Sequence, residues 1–158
     1  MLYIQDQGGR YLPAPKETIL SEARRLGSNQ LRRGAVIDCS EKAKEAIGQK
    51  LFSHPHEMFA CLLLDATHRV LAFAEMFRGS INCATVYPRE VVKEALRLNA
   101  AAVIFAHNHP SGDSKPSSQD IELTRKLSDI LKVVDVRVLD HLVVGETVVS
   151  MADAGFLA

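Results

Sequence analysis

A chain of 158 residues is of a size to form one compact domain around a single hydrophobic core. Its 47% apolar and 24% charged residues suit a globular protein, and no segment approaches the roughly 20 apolar residues of a membrane-spanning helix, so no membrane partner is expected. The 19 basic and 19 acidic side chains cancel, which removes the global field by which a nucleic-acid binder collects its polyanion.

The amino terminus, MLYIQDQGGRYLPAPK, lacks the basic-then-apolar pattern of a secretory signal, and a cytoplasmic location is the expectation. Residues 16–26 (KETILSEARRL) space Ile19, Ala23 and Leu26 at helical intervals, and the Gly-Ser-Asn that follows is expected to end this peripheral helix. A second helix starts near Ser40 and turns Ala43, Ala46, Ile47 and Leu51 inward before a His-Pro-His turn at 54–56. MFACLLLD (58–65) and VLAFAEMF (70–77) are β-rich apolar runs joined by the turn-prone Ala-Thr-His-Arg, which predicts an antiparallel hairpin. Pro88 opens a third helix ending at Asn99. Residues 101–106 (AAVIFA) read as a buried strand running straight into His107. Ser117 or Ser118 caps a helix to about Leu131, and VRVLDHLVVG and TVVSM supply further strands. The sum is a mixed α/β domain, with residues 1–48 as a helical accessory segment and residues 49–158 as the domain proper.

The chemistry concentrates in AHNHPSGDSKPSSQDIEL, residues 106–123. In extended chain, side chains two apart project to the same side, so His107 and His109 aim at one point. Asp120, at the start of the next helix, points back across the loop, and two imidazoles with one carboxylate suit a zinc ion that keeps a fourth position for water. The bland alternative is a polar loop whose Ser117 and Asp120 merely cap the helix. A hydrolytic zinc site also needs a carboxylate to move the water proton, and Glu57 and Glu75 both compete for that role by spacing.

The arrangement His107-x-His109, seven residues, Ser117, two residues, Asp120, with a glutamate upstream, resembles the JAMM/MPN+ metalloprotease signature. YPREVVKEAL, NAAAVIFAHNHPSGDSKPSSQDIELT and LDHLVVG further resemble the RadC-like branch of that superfamily over about residues 50–158. The resemblance implies a cytidine-deaminase-like α/β/α fold (the JAB/MPN domain) and one zinc ion per chain on His107, His109 and Asp120. It assigns the proton-carrying role to Glu57, because the family glutamate precedes an apolar strand as in His-Glu-Met-Phe, and gives Ser117 the oxyanion. The implied activity is cleavage of a peptide or isopeptide bond in a peptide or protein substrate, ubiquitin-like proteins among them, by metal-activated water. An extended peptide would be received at an exposed strand edge beside the zinc.

The alternative class is a DNA-associated accessory protein, since RadC-like proteins have carried a DNA-repair label. Residues 1–50 hold 9 basic against 6 acidic side chains, with Arg24, Arg25, Arg32 and Arg33 forming the cluster. Longer RadC relatives carry a helix-hairpin-helix region, however, and residues 1–48 lack such a hairpin pair. The letters His-Asn-His do not make an HNH nuclease, whose residues are dispersed through a ββα element, and the absence of Pro-Cys-x-x-Cys argues against a zinc nucleobase deaminase. His141 is expected to be a satisfied core histidine oriented by Asp140, His54 and His56 to flank a turn near Glu57, and His68 to sit in the hairpin turn. Cys39, Cys61 and Cys83 form no CxxC pair and read as reduced thiols, with Cys83 a buried one.

Overall fold

The structure is a computed structural model that describes residues 1–52, 54–79 and 85–157. Its elements in chain order are β1 (Tyr3–Gln5), β2 (Tyr11–Pro13), α1 (Lys16–Gln30), α2 (Ser40–Leu51), β3 (Met58–Leu64), β4 (Val70–Arg78), α3 (Pro88–Arg97), β5 (Ala102–Asn108), α4 (Ser118–Val133), β6 (Arg137–Val144) and β7 (Val148–Ser150). Strands β3 to β7 form one sheet in the order β4-β3-β5-β6-β7, mixed because β5 and β6 run parallel while the other neighbours are antiparallel. The expected Cys83 thiol lies outside the described residues.

Strands β3 and β5 read as unbroken apolar runs because both their faces are covered. Alternation sorts their side chains into two cores. Ala60, Leu62 and Leu64 of β3, with Ile104 and Ala106 of β5, pack against Ile47 and Leu51 of α2. Phe59, Cys61 and Leu63, with Val103 and Phe105, pack against Val91 of α3 and Leu127 and Leu131 of α4. The layers are therefore α/β/α, as the resemblance implied.

Two local features differ from the sequence expectations. Helix α1 does not stop after Leu26 but runs to Gln30, and Ile19 and Leu26 stay exposed. Gly27 is not a terminator; it is the buried residue of α1, and a Cβ there would stand 2.8 Å from the Ala46 carbonyl oxygen of α2. The glycine serves a close helix crossing. Residues 3–13 also form a two-stranded hairpin that strand-length windows overlook, its turn tied by Asp6 Oδ1, which accepts from the Gly8 and Arg10 amides at 2.9 Å each. In the β3–β4 turn His68 adopts φ 61°, and Asn99, at φ 54°, ends the α3 segment where the periodicity placed it.

Candidate metal centre

Strand β5 is buried along its whole length and ends in two polar residues, His107 at 1% and Asn108 at 3% exposure. Buried polar side chains need partners, and alternation sends these two to opposite faces of the sheet. His107 follows Phe105 onto the α3/α4 face, while Asn108 follows Ala106 onto the α2 face. His109 leaves the strand with its amide bonded to the Val144 carbonyl at 2.8 Å, so the loop stays beside β6. The loop then turns at Gly112, whose φ of 88° suits glycine. A Cβ at Gly145 would lie 2.3 Å from the Gly112 carbonyl oxygen, so glycine at that position lets the loop seat against the β6–β7 turn.

Helix α4 begins with a reciprocal capping box: Asp120 N donates to Ser117 Oγ at 3.1 Å and Ser117 N donates to Asp120 Oδ2 at 2.8 Å. The bland reading of Ser117 and Asp120 is thus present, and it coexists with the cluster. The cap aims the Asp120 carboxylate at the strand end, 3.4 Å from His107 Nε2 through Oδ1 and 3.5 Å from His109 Nε2 through Oδ2. The two Nε2 atoms are 2.9 Å apart. One ligand atom from each of His107, His109 and Asp120 lies within 4.8 Å of the others.

Donor and acceptor chemistry decides what fits between them. His109 Nδ1 lies 2.7 Å from the Asp113 carbonyl, which only accepts, so Nδ1 carries the hydrogen and Nε2 the lone pair. Thr124 Oγ1 gives its one hydrogen to the Asp120 carbonyl at 2.6 Å; its 2.6 Å contact with His141 Nδ1 is then donated by the histidine. His141 is fully buried among other imidazoles, and burial above all holds its pKa well below the ordinary histidine value. Neutral, it keeps a lone pair on Nε2, which accepts from His107 Nδ1 at 2.7 Å. His107 Nε2 is left with a lone pair as well. Two lone pairs and a carboxylate oxygen can therefore meet at one point, an arrangement that could hold a metal ion. The Asp120 carboxyl stays an anion: burial raises it, but its contacts with the His107 and His109 rings and the Ser117 amide overcome this and hold the group far below the usual carboxylate range, and a bound cation would replace any proton between it and the two Nε2 atoms. Asp120 in turn raises the His109 pKa, against desolvation and with help from the Glu57 charge.

The two glutamates separate cleanly. Phe59 pairs with His107, and alternation places Glu57 on the same face, where its charge is felt at His109. Glu75 lies opposite Ala60, whose side chain belongs to the α2-side core, so it projects from the other face of the sheet. It is 3.5 Å from His54 Nε2. Asp140 does not orient the His141 ring: its Oδ1 accepts from the His141 and Ala152 amides and its Oδ2 from Ser150 Oγ. Neighbours along a strand face opposite ways, and Thr124 takes that role. Sequence reading missed Thr124 and Asn108; Thr124 stands one helical turn from Asp120, and Asn108 is a polar residue within a buried strand. Arg25 pairs with Glu22, and Arg32 bonds the Asn29 carbonyl at 3.0 Å.

Comparison with known proteins agrees with this fold. Residues 37–156 match the family described as the RadC-like JAB domain. The chain is 50% identical over 144 residues to a UPF0758 protein of Vibrio cholerae, covering 91% of each. It is 49% identical to UPF0758 protein Tgr7_0100 of Thioalkalivibrio sulfidiphilus and 54% identical to UPF0758 protein Mpe_A2695 of Methylibium petroleiphilum, spanning 65% and 63% of those two proteins. These names state no activity. With a matching domain over most of its length and relatives at about 50% identity, the chain belongs to the RadC-like JAB domain family.

Proposed function

We propose that this protein is a zinc-dependent hydrolase of the JAMM type, cleaving a peptide or isopeptide bond in a peptide or protein substrate. The observation that carries the reading is the meeting of His107 Nε2, His109 Nε2 and Asp120 Oδ1, with both ring tautomers set by bonds pointing away from that point. These three side chains would hold the ion. A zinc ion bound there supplies Lewis acidity, which polarises a carbonyl and lowers the pKa of a coordinated water from 15.7 to about 7.

The chain's own groups supply the rest. Glu57, close enough for its charge to act on His109, takes the water proton and returns it to the leaving amine, a role worth about 10²–10⁴ in rate. Ser117 Oγ accepts from Asp120 N, and a hydroxyl that accepts still has a hydrogen to donate to the developing oxyanion. Cys61 is no competing nucleophile, because burial pushes its thiol pKa far up. Among the described residues β3 is the one strand that pairs with β4, and while Gly34 and Ala35 bond Val70 at its start, its Arg78 end lies opposite Met58, so the outer edge at that end is placed to receive an extended peptide. A DNA-binding role has less support, since the chain is neutral and Arg25 is already paired with Glu22.

Elemental mass spectrometry of untagged protein tests the reading. Near-stoichiometric zinc is expected in wild type and in Glu57→Gln, and its loss in His107→Ala, His109→Ala and Asp120→Ala. Wild-type protein that takes up no zinc after reconstitution would overturn it.

A further inference from the structure

We infer that Asn108 is a positioning residue for Glu57, holding the segment that carries it in register with the histidines; this rests on the reading of Glu57 as the proton carrier. Asn108 is 3% exposed and stands between His107 and His109. Its side chain points to the α2 face, where the chain leaving α2 passes on its way into β3. There its Oδ1 accepts from Met58 N at 2.7 Å, and its Nδ2 donates to the His56 carbonyl at 3.0 Å and the His54 carbonyl at 3.3 Å. The three partners, residues 54, 56 and 58, bracket Glu57 from both sides in sequence. On the other side of the segment, Gly79 N donates to the Glu57 carbonyl at 2.8 Å.

The chemistry asks for this side chain. One acceptor and two donors in a plane are what an asparagine amide offers; an aspartate has no hydrogen to give the two carbonyls, and leucine would leave all three groups unpaired. Residues 54–56 precede β3 and lie beyond the β3–β4 ladder, which reaches Glu57 through the Gly79 amide. The amide extends the hold of β5 across the gap. One strand end thus presents the metal-binding imidazoles on one face and fixes the glutamate's backbone from the other, and the two sets of groups move together.

Zinc affinity, measured by competition with a chromophoric chelator, tests the coupling in wild type, Glu57→Gln, Asn108→Ser and the double variant. Outer-shell groups contribute about 10- to 100-fold to metal affinity, and Glu57→Gln is expected to weaken zinc at the low end of that range, about tenfold, when Asn108 is present. With Ser at 108 the same change is expected to cost under about twofold, because the carboxylate is already displaced. The Met58 amide is expected to exchange faster in Asn108→Ser than in wild type. An Asn108 that only stabilises the fold would lower affinity without coupling. A Glu57→Gln effect of equal size in both backgrounds, zero included, therefore overturns the inference while leaving the zinc reading standing. Failure of wild type to bind zinc removes both. If Asn108→Ser does not fold, Asn108→Asp keeps the shape and the bond from Met58, loses the two donated bonds, and completes the same cycle.

Discussion

His141 is fully buried and uncharged, and its two ring nitrogens connect a threonine on α4 to a histidine on β5. The tautomer of His107 depends on that connection, and so does the direction of its Nε2 lone pair. Thr124→Val keeps the side-chain volume nearly unchanged but lets His141 adopt either tautomer. Zinc affinity, read by chelator competition, is expected to fall about tenfold in Thr124→Val and 10- to 100-fold in His141→Ala, as for other outer-shell partners. Unchanged affinity in both would sink the relay. At this scale His107, His109 and Asp120 could be found by spacing, since a strand alternates and a helix start points back over its loop. Thr124 and Asn108 could not: their partners lie 17 and about 50 residues away in sequence, so only the folded chain brings them together. The Asp140–His141 pairing that adjacency suggests fails for the same reason, because adjacent strand residues diverge.

Glycines at two element junctions do different work, and substitution separates the two. A Cβ at Gly145 would stand 2.3 Å from Gly112 O and 2.8 Å from Ser114 N, both backbone atoms of the loop between His109 and Asp120. Gly145→Ala is therefore expected to push that loop off β6, where it is tied by the Glu146 amide to Gly112 O at 2.8 Å and by Ser114 to Thr147 at 2.8 Å. Overpacking of this kind costs about 1–3 kcal/mol. Here it should also abolish stoichiometric zinc. Gly27→Ala meets the Ala46 carbonyl at 2.8 Å between α1 and α2 and should cost a similar amount in thermal stability, yet leave zinc content as in wild type. Equal zinc loss in the two variants would contradict this division. The order and type of the elements from α1 through β7 followed from periodicity, whereas the end of α1 did not. A glycine after an apolar helical run ends a helix or admits a neighbouring one, and the letters alone do not distinguish these.

Across the whole molecule, the sheet and its two helical layers carry the stability, and the β1–β2 hairpin stands apart with every strand residue exposed. Removal of residues 1–14 is expected to leave zinc content unchanged and to shift Tm by only about 1–2 °C, the scale of surface changes that disturb no core contact. A large drop would show that the hairpin shields α1. The sequence by itself determined the α/β class, the apolar strands buried on both faces, and a histidine pair at the end of one of them, because these depend on alternation and on runs of side chains a few residues long. Tertiary structure alone decided which glutamate shares a face with His107, which side chain sets the His141 tautomer, and what Asn108 holds. Each of these depends on strand register and on which of two sheet faces a residue meets, and both arise from packing between segments tens of residues apart.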